Sequence, residues 1–141
     1  MTMTNLSLQL TDSSDLPNAL AWLDGHFADA GADASVSADL KVVLDEQVAN
    51  VFNHGAPAGG DVELELELEI RTGHVLVRFI DNGVPFDPLA QPIDTDFGDI
   101  EERPIGGLGV LLIRELTDRQ HYRRLGDRNI LELTRTFSTR T

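Results

Sequence analysis

Residues 62–70 read Val-Glu-Leu-Glu-Leu-Glu-Leu-Glu-Ile, an unbroken alternation of apolar and acidic side chains. A helix would scatter these leucines around its axis. A strand sends Val62, Leu64, Leu66, Leu68 and Ile70 to one face and Glu63, Glu65, Glu67 and Glu69 to the other. Such a strand belongs to a sheet with one face on a core and one in water. Arg71-Thr72-Gly73-His74 reads as a turn and Val75–Ile80 as a second strand, which predicts an antiparallel hairpin. The apolar content of Val-Leu-Val-Arg-Phe-Ile places that second strand inside the sheet.

The covered face needs helices, and the flanking sequence supplies them. Leu6, Leu8 and Leu10 alternate with polar residues as a short strand. Ser13, Ser14 and Asp15 then offer caps, with Pro17 tolerated in a first turn. Leu16, Leu20, Leu23 and Phe27 fall on one helical face, closed by Gly31. A second helix runs from about residue 37 to 53, with the stripe Leu40, Val43, Leu44, Val48 and Val51, and ends at Gly55 and Pro57. Gly106-Gly107-Leu108-Gly109 opens a third, through about Asp118. Its Leu108, Val110, Leu111, Leu112, Ile113 and Leu116 cover most of the circumference and predict deep burial. Residues 120–125 and 129–137 read as strands around Gly126-Asp127, with Leu131, Leu133 and Phe137 on one face. The elements predict an α+β fold: a two-layer sandwich with a mixed, mostly antiparallel sheet and three helices on one face.

At 141 residues, with 41% hydrophobic side chains, the chain suits a single domain over residues 1–141. Without cysteine, disulfide scaffolds, thiolate metal sites and cysteine nucleophiles are excluded. The start Met-Thr-Met-Thr-Asn-Leu-Ser lacks a basic leader, and no apolar stretch nears the roughly 18 residues of a membrane span, so a cytoplasmic protein is expected. Eleven Lys+Arg against 24 Asp+Glu give a net charge of −13, which argues against nucleic acid and anionic membrane as partners. The charge is uneven: residues 1–102 carry −17 and residues 103–141 carry +4, eight of the latter's side chains being Arg.

Three segments depart from plain core-forming sequence. Glu46, Asn50 and His54 recur every four residues along one helical face. A carboxylate, an amide and an imidazole in a row can polarise a nucleophile and hold a hard cation, although any amphipathic helix shows a polar stripe. Asp81-Asn82-Gly83-Val84-Pro85-Phe86-Asp87-Pro88 follows an apolar strand. There an Asp can accept from an exocyclic amine and Gly83 can let a ring approach, or the whole stretch is turn chemistry. The glycines at 106, 107 and 109 expose helix N-terminal amides to an anion, or simply give a flexible entry. Neither a P-loop nor a Rossmann fingerprint is present.

Taken in order, these segments resemble the GHKL (Bergerat-fold) ATPase superfamily, with its histidine-kinase-like ATPase fold. The resemblance runs from about residue 5 to 137. Leu-Asp-Glu-Gln-Val-Ala-Asn-Val-Phe-Asn-His-Gly at 44–55, Phe-Ile-Asp-Asn-Gly-Val-Pro-Phe-Asp-Pro at 79–88, Gly-Gly-Leu-Gly-Val-Leu-Leu-Ile-Arg-Glu-Leu-Thr-Asp at 106–118 and Gly-Asp-Arg-Asn-Ile-Leu-Glu-Leu at 126–133 are similar to the anti-sigma-factor serine/threonine kinases. The resemblance implies ATP and Mg²⁺ as cofactors. It implies Glu46 as the general base and Asn50 as the Mg²⁺ ligand. Asp81 and Gly83 would take the adenine, and Gly107, Leu108 and Gly109 the phosphates. Residues 89–105 would be the ATP lid, with Arg103 neutralising charge at the γ-phosphate; His54 matches the family row. It further implies a homodimer with two partners, an antagonist protein as phosphoacceptor and a sigma factor or other regulator. Pro85 stands where the family often has a second glycine, and the lid is acidic. No phosphoacceptor helical hairpin is expected at this length, so a complete sensor histidine kinase is not expected.

Two functions compete: a protein serine/threonine kinase acting by partner switching, and a nucleotide-responsive binding module without kinase activity. A structural domain with chance motifs is the third. The charge asymmetry predicts a plainly solvated acidic sheet face and a basic end, including Arg114, Arg119, Arg123 and Arg124, that holds phosphates or an acidic partner.

Overall fold

A computed structural model describes residues 4–54, 60–90 and 107–138. Its elements are β1 (Thr4–Leu10), α1 (Leu16–Asp29), α2 (Ala34–His54), β2 (Leu64–Arg71), β3 (His74–Asp81), α3 (Gly107–Leu116), β4 (Arg119–Leu125) and β5 (Arg128–Thr136). The strands form one sheet in the order β1-β2-β3-β5-β4. Every pairing is antiparallel. The mixed character expected of the sheet is therefore absent among the described residues. β3 and β4 do run the same way, but β5 lies between them and pairs antiparallel with both.

The alternation at 62–70 does what its period requires. Leu64, Leu66 and Leu68 are 0–1% exposed, and Val62 and Ile70 are buried. Cross-strand, Leu66 faces Phe79, and Phe79 faces Leu131. These side chains meet Leu23 and Phe27 of α1 and Leu40, Val43, Leu44 and Val48 of α2 in a common core. The inner position expected for β3 is observed, between β2 and β5.

Helix ends differ from expectation where an aspartate caps. Asp12, not Ser13 or Ser14, accepts from the Ser14 amide at 2.9 Å, and the Asp15 carboxylate reaches back to the Thr11 and Asp12 amides. This capping box starts a short 3-10 turn at Ser13–Asp15, and α1 begins after it. Likewise Asp33 accepts from the Ser35 amide, so α2 starts at Ala34. α3 ends at Leu116 because the Thr117 hydroxyl donates to the Ile113 carbonyl and the Asp118 amide to Thr134, turning the chain into β4. Its burial is less complete than expected: Val110 and Ile113 are buried, but Leu111, Leu112 and Leu116 are half-buried. The helix packs on α2. The helix end at Gly55 and Pro57 lies outside the described residues, as do residues 91–105 of the expected lid.

The outer sheet face is not plain solvated acid. Arg78 lies among its carboxylates, 2.8 Å from Glu67, 3.1 Å from Glu132 and 4.0 Å from Glu69. One guanidinium thus joins β2 to β5 across β3. Among the described residues, no helix is long and apolar enough to cross a membrane.

The β2–β3 turn gives the first test. Gly73 has φ 73°, and a methyl there would lie 3.0 Å from the Phe137 carbonyl oxygen. Gly126 in the β4–β5 turn has φ 59° with open space around it. Gly73→Ala is expected to cost about 2 kcal/mol and Gly126→Ala about 1 kcal/mol. Urea unfolding should show both as lower midpoints at unchanged slope. Equal costs would mean that the Phe137 contact is immaterial.

Candidate nucleotide site

Asp81 ends β3 facing the core side, 5% exposed. Its Oδ1 accepts from the Gly83 amide at 2.9 Å and from Asn129 Nδ2 at 2.9 Å. Its Oδ2 accepts no hydrogen bond among the described residues. The register sets Asn129 directly opposite Asp81 across the β3–β5 pair. Asn129, also 5% exposed, makes three further bonds. Nδ2 donates to the Val84 carbonyl at 2.8 Å, while Oδ1 accepts from the Phe86 amide at 3.2 Å and the Tyr122 hydroxyl at 2.5 Å. A single amide thus ties the segment after β3 to both strands of the last hairpin.

That segment is held elsewhere too. Arg124 Nη1 donates to the Gly83 carbonyl at 2.7 Å, and the Asn82 side chain accepts from the Glu63 amide at 2.7 Å. Burial holds the Tyr122 phenol above its ordinary pKa. A backbone bond at Phe86 and the charge of Arg124 oppose this, while Asp87 and Asp81 add to it. Tyr122 therefore stays protonated at neutral pH and remains a donor to Asn129.

Asp81 lines a cleft together with Gln47, Asn50, Phe86, Tyr122 and Asn129. Its free space is about 10 Å³, room for about one water. Asn50 donates to Gln47 at 3.4 Å, and its side-chain oxygen has no partner among the described residues. An amide oxygen of this kind suits a hard cation that keeps most of its waters. A carboxylate oxygen at Asp81 suits an amino N–H. The donor chemistry therefore suits an amino N–H and a hydrated hard cation, while the cleft as it stands has room for a water and not for a purine.

One turn before Asn50, Glu46 is half-buried against the first turn of α3. A methyl on Gly109 would lie 2.5 Å from its Oε2. α2 thus carries Asn50 beside Asp81 and Glu46 beside Gly109, which brings together three segments far apart in sequence. Gly107 opens α3, followed by Leu108. Arg103 and the side chain of His54 lie outside the described residues.

Sequence reasoning missed Asn129, Tyr122 and Gln47, and gave Arg124 to an anion where it donates to the Gly83 carbonyl. Asn129 follows a Gly-Asp turn, where an amide looks like turn chemistry. Only the β3–β5 register reveals its partner. The basic end is also more occupied than expected. Arg114 donates to the Leu89 carbonyl, Arg135 pairs with Asp39 at 3.0 Å, Arg123 lies 3.9 Å from Glu132, and Arg124 holds Gly83. Arg114 and Arg124 thus hold the segment after β3, whereas Arg123 and Arg135 pair elsewhere on the sheet.

A family model described as the histidine kinase-like ATPase domain matches residues 10–135. The serine-protein kinase RsbW of Listeria monocytogenes serovar 1/2a is 34% identical over 100 residues, covering 68% of this chain and 64% of that protein. The match thus spans just under two thirds of that relative. The serine/threonine-protein kinase BtrW of Bordetella bronchiseptica is 28% identical over 132 residues, covering 92% and 89%. Among solved structures, the RsbU and RsbW domains of a Mycobacterium tuberculosis protein superpose with a TM-score of 0.66 at 19% identity, over 96% of this chain and 33% of that one. The catalytic domain of histidine kinase ThkA superposes at 0.55 with 14% identity, over 94% and 97%. At such identities the superpositions establish the fold, an α+β sandwich of the histidine-kinase ATPase kind.

Proposed function

Because this chain belongs to the histidine kinase-like ATPase domain family, we propose that it is an ATP-dependent protein serine/threonine kinase of the anti-sigma-factor type. It phosphorylates a small antagonist protein and regulates a sigma factor by partner switching. In this reading it is a cytoplasmic homodimer that engages neither nucleic acid nor membrane. The observation that carries the reading is the geometry of α2, which joins the Asp81 cleft to the Glu46–Gly109 contact. The kinase names of the RsbW and BtrW relatives support the choice of reaction.

The roles follow from the chemistry of each group. Asp81 accepts the adenine amino group through Oδ2, and Gly83 keeps the approach to the base open. Phe86 and Tyr122 narrow that approach. Asn50 offers its oxygen to Mg²⁺, which when bound neutralises charge on the phosphates. The amides of Gly107, Leu108 and Gly109 face the phosphates at the N-terminus of α3. Arg103 adds positive charge at the γ-position. Glu46 takes the proton of the attacking serine hydroxyl, while positioning and charge stabilisation supply most of the rate.

Incubation with γ-labelled ATP and candidate antagonist proteins tests the reading. Label is expected on a serine or threonine of one of them, and chelation of Mg²⁺ with EDTA should abolish it. Measurable MgATP binding without transfer to any candidate would overturn the kinase reading and leave a nucleotide-responsive binding module.

A further inference from the structure

Gly109 is the third residue of α3 and is buried. Glycine in a helix costs about 1 kcal/mol relative to alanine, so its presence there calls for a reason. Backbone conformation does not supply one. Among the described residues the positive-φ glycines are Gly31, Gly73 and Gly126, and Gly109 is not among them. Space does supply one. A methyl at Gly109 would meet Glu46 Oε2 at 2.5 Å, its Cδ at 3.4 Å and its Cβ at 3.9 Å. Among the described residues, no other side chain or backbone atom crowds the position as closely.

We infer that Gly109 is a positioning residue for Glu46: its missing side chain leaves the pocket in which the Glu46 carboxylate rests. This deepens the kinase reading and depends on Glu46 acting as the base. It differs from the phosphate contact that the resemblance gives Gly109, because that contact uses the backbone amide, which alanine retains. The clash falls on the far end of a flexible side chain. Alanine would therefore push the carboxylate aside without breaking the fold. A displacement of about 1 Å can cost about 100-fold in rate.

The test compares Gly109→Ala, Glu46→Gln, Glu46→Asp and the double variant Gly109→Ala/Glu46→Asp. Transfer is measured to the antagonist found by labelling, alongside MgATP affinity, thermal midpoint and a crystal structure of Gly109→Ala. The proposal expects Gly109→Ala to lose about 100-fold in transfer, with MgATP affinity within about threefold and an unreduced thermal midpoint. It also expects the Glu46 carboxylate displaced in the crystal. Glu46→Asp should cost less in the Gly109→Ala background than alone, since the shorter side chain clears the methyl. If Glu46→Gln transfers normally, the base assignment itself falls. If Glu46→Gln is inactive but Gly109→Ala is normal, the positioning role falls alone. Loss of MgATP affinity in step with activity, or an unmoved Glu46 in the crystal, would equally overturn it.

Discussion

Glu46→Gln is expected to lower phosphate transfer by about 10²–10⁴-fold while leaving MgATP affinity within about threefold. The substitution is isosteric, so the side chain keeps its place against Gly109. It removes only the ability to accept a proton. A serine hydroxyl is a weak nucleophile at its free pKa and depends on an adjacent base. The residue is half-buried at the helix surface, so the thermal midpoint should not move. Rapid-quench measurement of labelled phosphoprotein, beside calorimetric titration with MgATP, separates chemistry from binding. Wild-type transfer by this variant would exclude Glu46 as the base.

Asp81→Asn is the second large effect, and it falls on binding. In the parent, Asp81 Oδ1 already accepts from Gly83 and Asn129, both at 2.9 Å. An amide at 81 has one oxygen and one NH₂. If the oxygen keeps those two donors, the NH₂ confronts the adenine amine. If the amide flips, the NH₂ confronts Gly83 and Asn129 instead. One buried clash of donors results in either case, costing about 2–3 kcal/mol, or about 30–150-fold in MgATP affinity. Inosine triphosphate has a carbonyl in place of the amine, so it should bind the Asp81→Asn variant with a smaller deficit relative to ATP. An affinity within threefold of the parent for ATP would remove Asp81 from the adenine site.

The legible parts of the molecule were those written in short-range period. Leu64, Leu66 and Leu68 declare their face because neighbouring strand residues point opposite ways. The α2 stripe from Leu40 to Val51 does the same at helical spacing, and all five residues are buried. The motifs around Glu46, Asn50 and Asp81 were legible because each lies within one turn or one loop. What stayed hidden was contact between distant segments. Alternation says that Glu67 faces outward, but not that Arg78 and Glu132 lie beside it. Nothing local in Arg-Asn-Ile-Leu marks Asn129 as the partner of Asp81, since that depends on which strand lies next to β3. Aspartate caps at Asp12 and Asp33 were missed for a smaller reason. Several cap-competent residues stand side by side, and only hydrogen-bond geometry chooses among them.

The strand order has a consequence for the order of assembly. β5 follows β4 in sequence, yet it sits inside the sheet, between β3 and β4. Until residues 128–136 are made and docked, β3 is an open edge, ready to pair with any exposed strand. Asp81 likewise has no Asn129, and the Phe86 segment no anchor, before that moment. During synthesis the Asp81–Asn129 cleft therefore cannot exist before β5 is made and docked. In the proposed reading, nucleotide affinity becomes a readout of β5 docking, and a chain interrupted before β5 would expose an aggregation-prone edge and lack the Asp81–Asn129 cleft together.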